Sequence, residues 1–397
     1  MKNFLPYSRQ NIDDDDIAAV TDVLRSDFLT TGPKVVEFET AFGKLVNAKH
    51  TLACSSGTAG LHIATSASGL SSGETAIVPA ITFLSTANSV RFTGAEVVFA
   101  DVDPNTGLIT PETADAALTR SKHARAILPV HLNGQCCDMA TLKPWADQKN
   151  LVVIEDACHA LGGRYEDESL VGGGSDRITV FSAHPVKTIA MGEGGIITTD
   201  NSDTAKILMR FRNHGMVRDP KEFTFSDQAF APDGNANPWY YEMSLLGFNY
   251  RASDIHCALG LSQLRKLEDF VRIQNKLVES YAERLAPLAP IVRPVARTGV
   301  GMPAWHVATV LIDFDQAKTD RATVMRELLK HDVGSQVLYM PLTRQPYYEK
   351  RYGKQNLPGA EAYYSRALCL PLFASMTDGD IDRVVDALSA ALRVKAA

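Results

Sequence analysis

HTLACSSGTAGLHIATSAS, residues 50–68, changes its period halfway along. HTLACSS is a short β-rich run, whereas TAGLHIATSAS spaces its apolar residues as a helix does. A strand handing straight over to a helix is half of a βαβ unit, and the handover repeats downstream. ETAIVPA (74–80) reads as strand, STANSVRFT (85–93) as helix and AEVVFADV (95–102) as strand. ARAILPVHLNG (124–134), ATLKPWADQKN (140–150), LVVIEDA (151–157), ITVFSA (178–183) and GGIITTD (194–200) continue the alternation. The pattern predicts an α/β fold with a mostly parallel sheet and helices on both faces.

Upstream, DDDIAAVTDVLRS (14–26) has helical spacing, and TTGPKVVEFETAFGKLVN (30–47) turns at Gly32-Pro33 and resumes it. From about 252 the texture changes to one long helical stretch, residues 253–288, after which WHVATVLIDF (305–314) and VGSQVLY (333–339) read as strands of a separate module. DGDIDRVVDALSAALRV (378–394) closes the chain as an amphipathic helix. Two domains follow: a large α/β domain over 1–255, whose N-terminal segment is a candidate to pack on the small one, and a linking helix plus smaller α+β domain over 256–397. Residues 219–240, rich in Asp, Pro, Asn and Gly, read as an exposed loop.

Composition narrows the function. The 397 residues carry a formal net charge of −6 without a lysine/arginine run, which disfavours nucleic acid as a partner. No window approaches the roughly 18 apolar residues of a membrane span, and the start lacks a signal-peptide core, so a soluble, cytoplasmic protein is expected. The six cysteines lack a CxxC pair, so neither a metal site nor a disulfide framework is expected.

Chemistry-bearing residues fall at the strand ends. In SSGTAGL (55–61), Ser56, Gly57 and Thr58 lie where free backbone N–H groups and the positive end of a helix meet, a setting for phosphate that also suits an ordinary helix cap. In IEDACHALGG (154–163), Asp156 closes the strand LVVIED at the carboxyl edge where open parallel sheets bind ligands. Its plain alternative is a capping aspartate, and that of His159 is a helix-face histidine. FSAHPVKTIAMGEGG (181–195) sets Lys187 among small and apolar residues, where a desolvated lysine becomes a usable amine; alone it also reads as a loop lysine. Ser182 precedes it near a strand end. In LLGFNYRASDIHC (245–257), Asn249 and Arg251 suit anions, and Ser253 or Asp254 is available to cap the helix that follows. In this order a phosphate cradle, a strand-end carboxylate and a serine-plus-lysine are the parts pyridoxal phosphate requires: donors for the phosphate, an anion for the ring nitrogen, an amine for the aldehyde. Phe83, in PAITFLSTANSV, is available to stack on the ring.

From FLTTGPKVVEFE through SSGTAGLH, PAITFLSTAN, IEDACHALGG, FSAHPVKTIAMGEGG and FRNHGM to GFNYRASDIHCALGLSQL and VLYMPL, the chain resembles the DegT/DnrJ-type nucleotide-sugar aminotransferases. The resemblance implies the aspartate-aminotransferase fold (fold type I) and pyridoxal 5′-phosphate, passing through its pyridoxamine form. Lys187 is then similar to the lysine that bonds the aldehyde, Asp156 to the partner of the ring nitrogen, and His159 to the residue beside the phenolic oxygen. Gly57, Thr58 and Ser182 correspond to phosphate ligands, beside Ser56 from the handover itself, Phe83 to the stacked ring, and Asn249 to an asparagine that reaches the phosphate from the neighbouring subunit, which implies a homodimer. Thr30, Arg251, His306 and Tyr339 are carried on the substrate side.

HPVK, NPWYYEMSLLGFNYR (237–251) and QPYYEKRYG (345–353) resemble the branch that moves an amino group from L-glutamate to the C4 ketone of a UDP-linked 4-keto-6-deoxy-N-acetylhexosamine on the route to pseudaminic acid, a flagellin-decorating sugar. That branch has histidine where Leu338 stands and alanine where Gly60 stands. The alternatives are another UDP- or dTDP-keto sugar, a sugar dehydratase using the pyridoxamine form, in which histidine replaces the lysine, and a cofactor-binding sensor without turnover. The spacing from Ser182 to Lys187 favours transamination over dehydration, and the lack of a basic patch disfavours the sensor.

Overall fold

The computed structural model describes residues 4–121 and 123–393. Helix α1 (Asp14–Leu24) starts at a reciprocal cap in which Asp13 accepts from the Asp16 N–H and Asp16 accepts from the Asp13 N–H. Helix α2 (Pro33–Val46) opens on proline, and its N-terminus is capped from far away. The buried carboxylate of Asp254 accepts from the N–H groups of Gly32 at 2.8 Å and Lys34 at 2.9 Å. That leaves the capping of the later helix to Ser253, whose hydroxyl accepts from the His256 N–H.

The alternation opened by residues 50–68 then runs as β1 (His50–Cys54), α3 (Gly57–Ala67), β2 (Thr75–Pro79), α4 (Leu84–Phe92), β3 (Glu96–Ala100), α5 (Pro111–Leu118), β4 (Ala124–Ile127), α6 (Met139–Gln148), β5 (Val152–Asp156), β6 (Ile178–Ser182), β7 (Gly195–Thr199) and α7 (Ser202–Arg212). The seven strands form one sheet in the order β1-β7-β6-β5-β4-β2-β3. β7 runs antiparallel to both its neighbours and every other pairing is parallel, so the expected mostly parallel sheet flanked by helices is present. Register gathers the chemistry at one edge: Cys54 and Ser182 both pair with Gly195, and Asp156 pairs with Val180. The ends of β1, β5 and β6 therefore open side by side. Gly195 permits the closure, because a Cβ there would stand 2.2 Å from the Ser56 carbonyl oxygen.

Beyond the sheet, β8 (Met216–Val217) and β9 (Glu242–Met243) pair across a loop that carries the single turn α8 (Ser226–Ala229). The expected helix over 253–288 is two helices, α9 (Asp254–Leu264) and α10 (Leu267–Leu285), broken at Arg265 and Lys266. Packing sets the break. α9 lies against α1 and α2, with Gly260 so close to Met191 and Phe38 that a Cβ would stand 2.9 Å from each, whereas α10 lies against the C-terminal module. That module contains β10 (Val292–Pro294), β11 (Ala308–Ile312), α11 (Arg321–Lys330), α12 (Pro346–Tyr352), α13 (Pro358–Arg366), β12 (Ala367–Leu370) and α14 (Asp378–Leu392), its three strands antiparallel in the order β10-β11-β12. Val394, at the end of the expected closing helix, lies outside the described residues.

VGSQVLY is not a strand. Gln336 alone bridges to Cys369, after which residues 336–339 leave the small sheet to line the site. The N-terminal segment joins the two modules: Gly334 donates to the Leu5 carbonyl at 2.8 Å, Leu372 donates to that of Tyr7 at 3.0 Å, and the Ser8 hydroxyl donates to the carbonyl of Val186 at 2.9 Å.

Candidate active site

A cavity of about 720 Å³ opens at the carboxyl edge of the sheet. Its floor is the β1–α3 junction. Ser56 caps α3 by accepting from the Ala59 N–H at 3.1 Å, so the N–H groups that open the helix are left for an anion. Gly57 packs against β6 so tightly that a Cβ would stand 2.8 Å from the Ser182 Cβ. Gly57, Thr58 and Ser182 thus form one wall, with room that any side chain at 57 would fill.

Asp156 ends β5 at 4 % exposure. A buried carboxylate needs partners. One oxygen accepts from the Cys158 N–H at 3.2 Å and the other from the Thr86 hydroxyl at 2.6 Å. The backbone is clamped as well, by Asp156 N–H to the Pro129 carbonyl at 2.8 Å and His131 N–H to the Asp156 carbonyl at 3.0 Å. Glu155, one residue earlier and therefore on the opposite sheet face, accepts from Arg177, from Tyr165 at 2.6 Å and from His131 at 2.8 Å. Burial pushes its carboxyl up, but Arg177, His131 and Tyr165 outweigh burial and hold it down to about 2.

Lys187 sits on a tight loop between β6 and β7. Its N–H donates to the His184 carbonyl, and Met191 N–H donates to that of Ala183, both at 2.8 Å. Gly192 supplies the positive φ of 78° that turns the chain back. Burial lowers the pKa of the Lys187 amine from the ordinary lysine value, while Cys158 and Asp156 pull it partly back. An amine of this kind is neutral more often than an exposed lysine and serves as nucleophile or base.

Aromatic groups close the other side. Tyr339 Oη lies 3.2 Å from His159 Nε2, and its ring is 5.8 Å from that of Phe83. His159 Nδ1 is buried without a partner. His306 stands behind, its ring centroid 4.4 Å from that of His159.

Of the residues singled out by sequence, Ser56, Gly57, Thr58, Phe83, Asp156, His159, Ser182, Lys187 and Tyr339 line this one cavity. His306 is one ring removed. Thr30, Asn249 and Arg251 are not on its wall. Thr30 bridges to Ser253, Asn249 to Asn213, and Arg251 pairs with Cys54 while its guanidinium donates to Asn213. Sequence reasoning passed over Tyr7, Thr82, Ser85, Glu193 and Gln336, which the cavity includes. Thr82 and Ser85 lie inside the motif already quoted around Phe83, but Tyr7 arrives from the N-terminal segment and has no local mark in the sequence.

Gly60 and Leu338 have distinct settings. A Cβ at Gly60 would stand 2.8 Å from Val180 Cγ1, so α3 packs on β6 more closely than an alanine allows. Leu338 reaches the cavity and packs with Val307 and Cys369.

These residues fit pyridoxal phosphate. The glycine-floored helix start suits the phosphate, the Asp156 carboxylate a protonated ring nitrogen, and the Lys187 amine an aldehyde. His159, with a buried nitrogen lacking a partner, has hydrogen-bonding capacity that the protein alone leaves unused. Among the described residues no cluster of His, Cys, Asp and Glu could hold a metal ion.

Comparison with known proteins agrees. Residues 10–389 match the DegT/DnrJ/EryC1/StrS aminotransferase family. The spore coat polysaccharide biosynthesis protein SpsC of Bacillus subtilis is 36 % identical over 389 residues, 97 % of this chain and 96 % of that one. The uncharacterized protein MJ1066 of Methanocaldococcus jannaschii is 34 % identical over 98 % of this chain and 97 % of its own. The structure of PseC from Helicobacter pylori, an aminotransferase involved in the biosynthesis of pseudaminic acid, superposes with a TM-score of 0.88 at 25 % identity, covering 98 % of this chain and 100 % of that chain. The chain belongs to the DegT/DnrJ/EryC1/StrS aminotransferase family and is a pyridoxal-phosphate-dependent sugar aminotransferase.

Proposed function

We propose that the protein moves the amino group of L-glutamate to the C4 ketone of a UDP-linked 4-keto-6-deoxy-N-acetylhexosamine, for pseudaminic acid and the modification of flagellin or a surface glycan. The observation that carries transamination is the Lys187 amine, its pKa lowered by burial, opening into the same cavity as the Asp156 carboxylate and the start of α3. The choice of sugar is supported by the likeness to PseC.

Bound pyridoxal phosphate supplies the electron sink that lets a proton leave the carbon bearing nitrogen. Ser56, Gly57, Thr58 and Ser182 would hold its phosphate, Asp156 would pair with the ring nitrogen, Phe83 would cover the ring and His159 would stand by the phenolic oxygen. Lys187 would supply the amine that holds the aldehyde, and as a free amine would take the proton from the donor's α-carbon. In the second half-reaction the same amine delivers a proton to C4 of the sugar. Burial serves this role by shifting the amine toward its neutral form.

The active unit in this reading is a homodimer in which Asn249 serves the partner's site. Asn249 is exposed, and apolar side chains shortly before it in sequence lack cover: Trp239 is 73 % exposed, Met243 66 % and Leu246 79 %. A cytoplasmic location is supported by six free cysteines among the described residues. No helix of the described residues is long and apolar enough to cross a membrane.

A second reading, amination of a different UDP- or dTDP-keto sugar, is favoured by the 36 % identity to SpsC and by Leu338 at the cavity wall. Incubation with glutamate and a panel of UDP- and dTDP-4-keto sugars, with the product assigned by mass and NMR, separates the two. Turnover of the 4-keto-6-deoxy-N-acetylhexosamine above the rest supports the first reading, and preference for another sugar replaces it with the second.

A further inference from the structure

Asp156 is served by a pair of threonines from the segment around Phe83. The Thr86 hydroxyl lies 2.6 Å from Asp156 Oδ2, and Thr82 Oγ1 lies 2.7 Å from Thr86 Oγ1. Thr86 is fully buried and Thr82 is 1 % exposed. A threonine in a helix ordinarily turns its hydroxyl back to a carbonyl three or four residues earlier. Thr86, in the first turn of α4, gives its proton to a carboxylate across the site instead.

The direction of the pair follows from proton counting. An ionised carboxylate only accepts, so Thr86, with a single hydroxyl proton, is the donor to Asp156. Its oxygen is then an acceptor toward Thr82, which must donate. Thr82 itself lines the cavity. Thr82, Thr86 and Asp156 thus form a one-way chain leading from the cavity wall to the carboxylate. The Cys158 N–H holds the other oxygen at 3.2 Å. Between them the two donors fix the carboxylate plane, and a bond made to a charged acceptor in a dry site is among the stronger ones.

We infer that Thr86 and Thr82 are positioning residues that act in series: Thr82 orients the Thr86 hydroxyl, and Thr86 holds Asp156 in the rotamer that receives the cofactor's ring nitrogen. This rests on Asp156 being the ring-nitrogen partner. Thr86 touches neither substrate nor cofactor in this scheme, so its effect is read first in cofactor affinity and ring orientation rather than in turnover.

The test uses apo-protein reconstituted with pyridoxal phosphate, with affinity taken from fluorescence quenching and ring orientation from the visible circular dichroism of the bound cofactor. Thr86→Val keeps the shape and removes the donor; it should weaken binding roughly tenfold or more and alter the visible dichroism. Thr86→Ser should restore both. Thr82→Val should weaken binding severalfold alone and add nothing in the Thr86→Val background, since the two act in series. Asp156→Asn is the control for the underlying assignment. Thr86→Val binding within about twofold of wild type while Asp156→Asn is impaired would overturn the relay and leave the ring-nitrogen assignment standing. Normal binding by Asp156→Asn would remove the assignment and the relay together. Losses that multiply in the double valine variant would overturn action in series. Should Thr86→Val fail to fold, Thr82→Val decides: unchanged affinity and dichroism refute the relay.

Discussion

His159 and His306 lie ring against ring, centroids 4.4 Å apart, at 6 % and 2 % exposure. Both are held well below the ordinary histidine pKa, by burial first and then by the nearby Lys187; His306 adds to the effect on His159, and His184 to that on His306. The folded protein therefore keeps both rings neutral where an unfolded chain takes up protons.

The sign of the pH dependence follows. An unfolded histidine titrates near 6.5, and below that value the unfolded state binds protons the folded state refuses. Stability is present above about pH 6.5 and is lost as the pH falls, by up to about 2.7 kcal/mol per unit for two such groups. Urea unfolding of apo-protein on either side of that pH should show the loss, and His306→Leu should shrink it, while His62, also lowered by burial, keeps its share. An unchanged slope in His306→Leu would mean that the pair is not its source.

Gly60 yields a prediction from packing: a Cβ there would press on Val180 Cγ1 at 2.8 Å and on Cys54 Sγ at 3.3 Å. Gly60→Ala should cost about 1–3 kcal/mol in denaturant unfolding. A stabilised variant would show that α3 can move off β6 freely.

The proposed homodimer, with Asn249 serving the partner's site, is open to a complementation test. Lys187→Ala and Asn249→Ala should each be impaired alone. Unfolded and refolded together, they should regain about a quarter of the wild-type activity, because half of the dimers are mixed and each mixed dimer holds one intact site. No recovery would place Asn249 and Lys187 in the same chain's site.

Much of this architecture is local enough to read from sequence. The handover from HTLACSS to TAGLHIATSAS carries its own period and places Ser56 at the sheet edge, and the apolar runs LVVIED and ITVFS end on Asp156 and Ser182 at the carboxyl edge, with Lys187 on the loop that follows. What stayed hidden depends on distant packing. The break at Arg265 and Lys266 comes from α9 lying on α1 and α2, and nothing in the helical pattern announces it. Asp254 caps α2 across more than two hundred residues instead of its own helix. VGSQVLY has strand composition, but its residues are spent on the cavity wall. Tyr7 reaches the site only because the N-terminal segment bridges both modules, and Thr86 looks like any helical threonine until Asp156 is placed beside it.

Transamination through Lys187 is tested most directly by the visible spectrum of the purified protein during one cycle. Wild-type protein reconstituted with pyridoxal phosphate should be yellow, lose that band on addition of L-glutamate with release of one equivalent of 2-oxoglutarate, and regain it with the keto sugar. Lys187→Ala should bind the cofactor and lose turnover by roughly 10⁴-fold or more. A wild-type band that glutamate leaves unchanged, or a Lys187→Ala protein that still completes the cycle, would contradict it.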